Sequence, residues 1–266
     1  MAESELERCA RAVAERLGTN SVMAVLTGAG VSSESGVPTY RGPGGLWEDI
    51  ELRMLAESTA LLRFPRMVWE FFQQVRELLS QARPNAAHYA LAQLDDLVRP
   101  AARMAVITQN VDGLHQAAGS RHVIELHGNA ARFYCMVCGA RHDLLPLQLG
   151  ELPPRCACGG IIRPDVVLFG EALPESAWQE TRAVIEQARV LLVIGTTLEV
   201  EPAASLPLEA LRRGALIVEI NLEPTPLSEH ADFVLRGFAG HILPLLVEQL
   251  ARVLGRQVRR ARVPKA

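Results

Sequence analysis

Short apolar runs alternate along this chain with stretches of helical periodicity, and that alternation restricts the fold more than any other feature. The runs lie at residues 22–26, 104–107, 190–194 and 216–220. Between them, residues 65–79, 86–97, 175–188 and 202–212 carry apolar side chains at helical spacing. Another helix is predicted near the N-terminus, where Leu6, Cys9, Ala10, Val13 and Leu17 recur at that spacing and Gly18 follows as a stop. Strands separated by helices predict a parallel sheet covered on both faces, an α/β fold. A length of 266 residues allows one large domain or two unequal ones, with an ample core.

Between about residues 131 and 164 the alternation gives way to cysteine, proline and glycine. Cys135-x-x-Cys138 and Cys156-x-Cys158 have 17 residues between them, close to the spacing of a four-thiolate zinc site. Four thiolates at about 2.3 Å close a tetrahedral shell and leave no place for water, so one structural Zn²⁺ per chain is expected. Such an ion folds a region that has little core of its own. The predicted organisation is a nucleotide-binding domain made of residues 1–130 and 165–266, with a small zinc domain, residues 131–164, inserted into it.

A fifth thiol, Cys9, stands apart, and an odd thiol beside a metal-type cluster argues for a reducing compartment. Residues 1–17 are acidic and amphipathic, unlike a secretory signal, and no apolar stretch reaches the ~18 residues of a membrane span. A cytoplasmic location is therefore expected. A net charge of −3 argues against nucleic acid or an anionic membrane as the main partner. Lys265 is the sole lysine among the 27 basic residues, so the chain offers almost no lysine of its own to modify. The basic run 256–265 reads as a frayed, solvated helix end.

The first apolar run ends in Gly28-Ala29-Gly30. In an open parallel sheet, ligands bind beyond the carboxyl ends of the strands. Glycine there permits positive φ and close approach of backbone N–H groups to phosphate, although a tight turn uses the same residues. The dehydrogenase fingerprint is incomplete, because Ser33 occupies its sixth position and no acidic residue ends a clear second strand. A polar segment follows, with Pro38, Tyr40 and Arg41. The loop suits a dinucleotide, but not in the usual hydride-transfer arrangement.

The second run ends in Thr108-Gln109-Asn110-Val111-Asp112-Gly113-Leu114-His115. Polar side chains at a strand's carboxyl end belong in a cleft more than in a core, though Asn110 or Asp112 would also serve as a helix N-cap. The apolar residues 123–126 lead to His127-Gly128. Either His127 or His115 has the local setting of a general base near neutral pH, or of a structural histidine.

Together these segments closely resemble the sirtuins, the NAD-dependent protein-lysine deacylases. The matching blocks are Gly28-Ala29-Gly30-Val31-Ser32 with Ser35-Gly36-Val37-Pro38 and Tyr40-Arg41-Gly42, then residues 108–115 and His127-Gly128. The four cysteines, Arg163-Pro164, Val166-Val167-Leu168-Phe169-Gly170-Glu171, Gly195-Thr196-Thr197 and Asn221-Leu222-Glu223-Pro224-Thr225 follow in the family's order. The resemblance covers about residues 20–240 and implies a Rossmann-type domain and a zinc domain, with NAD and acyl-lysine meeting between them. It places Gly28, Ala29, Gly30, Tyr40 and Arg41 along the pyrophosphate and the cofactor loop. Gln109, Asn110 and Asp112 fall around the nicotinamide and its ribose, and Thr196, Thr197, Asn221 and Leu222 at the adenosine end. Ser32, Trp47, Val111, Gly195, Glu223 and Ala239 complete the cofactor-binding set. His127 takes the family's catalytic-base position, ahead of His115, with Asn110 and Asp112 as its catalytic partners.

In the chemistry that the resemblance implies, the acyl oxygen attacks the ribose carbon that bears nicotinamide, and nicotinamide leaves. His127 then accepts a proton from the ribose hydroxyls, so that the 2′-oxygen attacks the amidate carbon. Water completes the release of lysine and O-acyl-ADP-ribose. Val166, Val167, Phe169, Gly170 and Glu171 are implied to pair with an extended acyl-lysine peptide or protein as an added strand. The helical segment at about residues 40–85 helps to form the cleft.

Residues 68–76 are similar to the branch of the family that removes succinyl and malonyl groups, but the tyrosine and arginine that mark it are replaced by Phe72 and Val75. A carboxylate buried there without a partner should cost several kcal/mol, so acetyl or longer apolar acyl groups are expected, with Arg76 the nearest cation in sequence. Two other functions fit parts of the sequence: an NAD-consuming ADP-ribosyltransferase or NAD hydrolase on the same fold, and a zinc-ribbon interaction module with a vestigial nucleotide fold. The chain is expected to act as a monomer, with no direct nucleic-acid binding and no membrane attachment.

Overall fold

The computed structural model describes residues 3–39, 49–143 and 152–258. Tyr40, Arg41 and Trp47 lie outside the described residues.

The helix α1 (Glu5–Arg16) opens with a capping box, Ser4 bonding the Glu7 amide and Glu7 reaching back to Ser4. It buries Cys9, Ala10 and Val13, and ends at Leu17, which is extended, one residue before Gly18. The strand β1 (Ser21–Thr27) is buried over nearly its whole length. Then come α2 (Ile50–Leu55), α3 (Ser58–Arg63), α4 (Pro65–Gln81), α5 (Ala86–Val98), β2 (Ala102–Thr108), the short α6 (Leu114–Ala117) and β3 (Val123–Glu125). The chain next forms β4 (Gly128–Cys135), β5 (Arg141–His142) and β6 (Ile162–Val166). It closes with α7 (Glu175–Gln187), β7 (Ala188–Ile194), α8 (Leu206–Arg212), β8 (Leu216–Asn221), β9 (Phe233–Arg236) and α9 (Ala239–Leu254).

Among the described residues a six-stranded sheet runs β3-β2-β1-β7-β8-β9, with every pairing parallel. One face packs on α1, α5 and α9 through Val25, Leu91, Leu94, Leu192, Val218, Leu243 and Leu250. The other packs on α7 and α8 through Leu26, Ile107, Ile185, Leu191, Leu206 and Ile217. Burial on both faces is why these strands read as continuous apolar runs instead of alternating ones. The four predicted runs are strands, and β1 stands between β2 and β7, where the direction of connection reverses. That switch point is where an open parallel sheet leaves a crevice at the carboxyl ends of its strands.

A second sheet, β5-β4-β6, is antiparallel. It is joined to α4 by Trp69, whose ring stacks on Phe133 at 5.6 Å and whose Nε1 donates to the Ile162 carbonyl at 2.8 Å. The two chain crossings that connect this sheet to the large one lie side by side. Gly128 pairs with Val166, and the Val167 amide donates to the His127 carbonyl at 2.9 Å. Gly128 has φ +79°, and a Cβ there would stand 2.0 Å from the Asp165 carbonyl oxygen, so only glycine fits this crossing.

At the C-terminus the structure corrects one expectation. The helix α9 stops at Leu254 with Gly255 in a left-handed conformation (φ +62°), so the described start of the basic run, residues 256–258, lies beyond the helix and is not its frayed end; the rest of the run lies outside the described residues. Arg256 donates to the Leu97 and Arg99 carbonyls. Among the described residues no helix is long and apolar enough to cross a membrane.

Candidate active site and zinc centre

The carboxyl ends of β1, β2, β7 and β8 bring most of the predicted cofactor residues together. Gly28, Gly30 and Gly195 are packed against one another. A Cβ on Gly28 would be 2.7 Å from the Thr196 Cβ, one on Gly30 2.8 Å from the Gly195 Cα, and one on Gly195 2.5 Å from the Val31 nitrogen. The reason for glycine thus differs from the one the sequence suggests. Gly28 is extended (φ −124°), and the left-handed residue is Gly195 (φ +58°), after β7. The Gly28 and Gly30 amides are already engaged, donating to the Ile194 and Gly195 carbonyls at 3.0 and 2.8 Å. Close approach of two segments of the chain, not exposure of these two amides, fixes the glycines.

Buried polar groups fill the crevice floor. Asn110 Nδ2 donates to the Gly28 carbonyl and to Ser32 Oγ, both at 3.1 Å, and Ser32 Oγ donates to Asp112 Oδ2 at 2.7 Å. The other Asp112 oxygen accepts from the Leu114 amide at 2.9 Å. Asp112 therefore caps the turn into α6, although Gly113 occupies the N-cap position itself. Burial raises the Asp112 pKa, and the Leu114 and Ser32 bonds oppose that rise. Val111 is buried, and its carbonyl accepts from the Ala130 amide. Gln109 Nε2 donates to Thr196 Oγ1 at 3.0 Å, and Asn221 Nδ2 donates to the Thr196 carbonyl at 3.0 Å. These bonds tie the ends of β2, β7 and β8 to one another. Ala29 is half-buried, Thr197, Leu222 and Glu223 are exposed at the rim, and Ala239 is buried at the start of α9.

The two histidines that the sequence leaves equivalent are now distinct. His127 Nδ1 lies 2.8 Å from the Gln109 carbonyl. A carbonyl only accepts, so Nδ1 carries the proton and Nε2 carries the lone pair of the neutral ring. Burial lowers the His127 pKa, and the Gln109 bond opposes that fall. His115 is instead sealed beneath the crevice, 1% exposed, with Nε2 2.9 Å from Thr27 Oγ1 and its ring 4.9 Å from that of His88. Thr27 Oγ1 donates to Thr108 Oγ1, so His115 Nε2 must be the donor in their bond.

His88 and its partner Asn85 are residues that the sequence reasoning missed. The Asn85 side chain caps α5 and reaches the Val31 carbonyl and Ser35 Oγ, while His88 Nε2 stands 3.4 Å from Ser32 Oγ. The available signal was Asn85-x-x-His88 at a helix start, which reads as an ordinary cap.

Burial pushes His88 down to about 4 and His115 down to about 3. Below their ordinary value of 6.5 the unfolded chain therefore binds more protons than the folded one. The stability is present in full above about pH 6.5 and is lost as the pH falls toward 4 and 3. At about 1.4 kcal/mol per pKa unit, the loss should reach several kcal/mol. His115→Gln, which keeps a donor for Thr27, is expected to flatten the acid limb of a melting-temperature profile; an unchanged limb would reject this source of acid lability.

The acyl-pocket candidates lie in a separate apolar cluster. Phe72 packs with Leu61, Val68, Phe71 and Leu168, and Val75 and Val166 lie against them. Arg76 is directed elsewhere: its guanidinium sits 4.4 Å from the centre of the Phe133 ring, on the side of the small sheet. Phe169 is tied to the start of α3, its amide donating to the Ala56 carbonyl and its carbonyl accepting from Ser58, both at 2.9 Å.

The four cysteine sulfurs lie within 4.8 Å of one another, Cys135 to Cys158 at 3.5 Å and Cys138 to Cys156 at 3.7 Å. A tetrahedron of ~2.3 Å Zn–S bonds has sulfur–sulfur edges of about 3.8 Å, so the donor set fits zinc. Each pair sits on a tight turn, with Gly139 (φ +70°) and Gly159 (φ +86°) in left-handed conformations. At Gly160 a Cβ would stand 2.6 Å from Cys135 Sγ. Amide bonds, that of Cys138 foremost, hold the Cys135 thiol down to about 6, toward the thiolate that a metal requires.

Comparison with known proteins agrees with this arrangement. Residues 28–202 match the Sir2 family. The chain is 48% identical over 245 residues to the "NAD-dependent protein deacylase 2" of Pyrobaculum aerophilum, covering 91% of this chain and 96% of that one. It is 45% identical over 247 residues to the "NAD-dependent protein deacylase" of Pyrococcus furiosus, covering 91% and 98%. Among solved structures, a Sir2 homologue in complex with NAD superposes with a TM-score of 0.84 at 40% identity, over 93% of this chain and 94% of that one. A Sir2 complex with a p53 peptide and NAD⁺ gives 0.76 at 34% identity, over 86% and 92%. The zinc-type cysteine cluster, the glycine-packed crevice and these matches together show that the chain belongs to the Sir2 family, the sirtuins.

Proposed function

We infer that the protein is an NAD-dependent protein-lysine deacylase that yields nicotinamide, O-acyl-ADP-ribose and free lysine. The observation that carries this reading is the setting of His127: a neutral, half-buried imidazole just past the end of β3, whose Nδ1 proton is held by the Gln109 carbonyl at the end of the neighbouring β2, which leads into Asn110 and Asp112. Deacylase relatives and Sir2 structures with NAD and with a peptide support it. NAD is a co-substrate here. When bound, it supplies the electrophilic ribose carbon and the nicotinamide leaving group.

In this reading Gly28, Ala29, Gly30 and Ser32 line the cofactor's phosphates, with Tyr40, Arg41 and Trp47, outside the described residues, assigned to the same half by the family resemblance. Gln109, Asn110, Val111 and Asp112 take the nicotinamide half. Gly195, Thr196, Thr197, Asn221, Leu222, Glu223 and Ala239 take the adenosine half. The Asn110–Ser32–Asp112 chain fixes three side chains before any ligand arrives, so little ordering is left for binding. His127 accepts the ribose proton at Nε2, because Nδ1 is already occupied. Residues 166–171 receive the peptide as an added strand. The four thiolates Cys135, Cys138, Cys156 and Cys158 hold a structural zinc and take no part in the chemistry.

Phe72 and Val75 present an apolar wall to the acyl group, and Arg76 faces Phe133 instead. Acetyl and longer apolar acyl groups are the expected substrates, and succinyl a poor one. The experiment is mass spectrometry of acetyl-, succinyl- and long-chain acyl-lysine peptides with and without NAD. NAD-dependent loss of acetyl or fatty acyl with formation of O-acyl-ADP-ribose is expected; NAD breakdown with every acyl group intact would favour a transferase or hydrolase. Phe72→Tyr with Val75→Arg should raise desuccinylation at least about tenfold, the scale of one charge-assisted hydrogen bond. No gain in a folded double variant would count against the pocket assignment.

A further inference from the structure

Residues 166–171 depart from β6 and run past three parts of the molecule: His127, the start of α3, and the small sheet. Their arch is closed by groups that the chemistry does not use. Arg163, 5% exposed, directs a fork of donors at both Glu171 oxygens, with Nη2 to Oε2 at 2.9 Å, and the same Nη2 donates to the Val166 carbonyl at 2.7 Å. Glu171 Oε2 also accepts from the Leu168 amide at 2.8 Å, and the Glu171 amide donates to the Leu168 carbonyl at 3.0 Å. Gly170 turns the chain with φ +86°. One planar guanidinium therefore fixes both ends of a six-residue arch, and a bidentate pair sets direction as well as distance.

The side chain of Glu171 points inward to Arg163. It is thus committed to the protein before a peptide arrives, and so are the Val166 carbonyl and the Leu168 amide. The Val167 amide, between the two ends of the arch, donates to the His127 carbonyl. The imidazole of the base is held separately, through Nδ1 and the Gln109 carbonyl, so displacing the arch shifts the docking edge first.

We propose that Arg163 and Glu171 are positioning residues that hold residues 166–171 in register for the acyl-lysine peptide, with the Glu171 side chain making no substrate contact. This proposal rests on the deacylase reading. The test is steady-state kinetics of the zinc-loaded full chain with an acetyl-lysine peptide and NAD, on Glu171→Gln, Arg163→Lys, and the apolar pair Arg163→Met with Glu171→Leu. Amide hydrogen exchange is followed in parallel. For Glu171→Gln we expect the peptide KM to rise about tenfold, with kcat within about threefold and the NAD KM within about twofold of the parent. The Val167 and Leu168 amides should exchange at least about tenfold faster. The apolar pair should recover the melting temperature without recovering the peptide KM.

A merely structural role would raise both KM values in step with the loss of melting temperature, and that result overturns the proposal. So does a peptide KM within about twofold of the parent in Glu171→Gln. If Glu171→Gln does not fold, Arg163→Lys carries the same test, since one ammonium cannot span Val166 and both carboxylate oxygens. If the parent removes no acyl group from any peptide, the deacylase reading fails. The latch is then decided on exchange alone, and unchanged protection of Leu168 in the variant overturns it.

Discussion

His127→Ala is expected to lower the rate of deacylation by about 10²–10⁴-fold, the usual contribution of a positioned general base. The loss should be selective. Nicotinamide departs before any proton passes to His127, so exchange of labelled nicotinamide into NAD should survive far better than release of free lysine. The pH profile of the parent should report the same group. The base works only while neutral, and burial lowers its pKa below the ordinary 6.5. The acid limb of kcat is therefore expected below pH 6.5, with activity lost as the pH falls through that limb. Because the Gln109 carbonyl holds the Nδ1 proton, a glutamine at 127 should not restore the rate: its amide nitrogen donates but offers no basic lone pair. Equal loss of exchange and deacylation in His127→Ala would place the residue at the first chemical step and overturn the assigned order.

Removing the metal should have the second large effect. Cys135 is the last residue of β4, and Phe133, two residues earlier, stacks on Trp69 of the helix that also carries Phe72. Losing the ion leaves four thiols supported only by the small cluster of Trp69, Phe133 and Ile162, in a region whose folding energy is largely that of metal binding. Cys135→Ser or exhaustive chelation is expected to destabilise the small sheet by several kcal/mol and to abolish deacylation. The six-stranded sheet contains none of the four ligands, so NAD binding should persist, weakened at most severalfold. Zinc analysis should give one ion per chain in the parent. Deacylation that survives in a chain shown to hold no zinc would refute the structural role.

The sequence made the large sheet legible because its strands are buried on both faces and carry unbroken apolar runs, as at residues 190–194. It was silent about β9, a short edge strand in which only Leu235 is fully buried, and it implied α9 only through a helix end misplaced at residues 256–265, since Pro244 lies within the helix. The zinc ligands were visible because four cysteines at that spacing have few other uses. The glycines were found for a partly wrong reason: only the fold shows that residues 28–30 lie against Gly195, far away in sequence. His127 could be separated from His115 by residues alone only through family resemblance, since both follow short polar strand ends. The roles of Asn85, His88 and Arg163 depend on partners from other elements, and no local pattern announces such pairings.

The side-by-side crossings at Gly128 and Val166 have a consequence for how such a protein can change over time. Because the strands β4 and β6, by which the chain leaves and returns to the large sheet, are neighbours, what lies between them is a cassette covalently joined at one crossing and otherwise seated on α4 through Trp69. Insertions, deletions and substitutions inside that cassette leave the ends of β3 and β7 where they are, as domain insertions are tolerated where the joining ends sit close together. Selection for new protein targets can then act on one side of the molecule, while the machinery that spends NAD on the other side stays fixed.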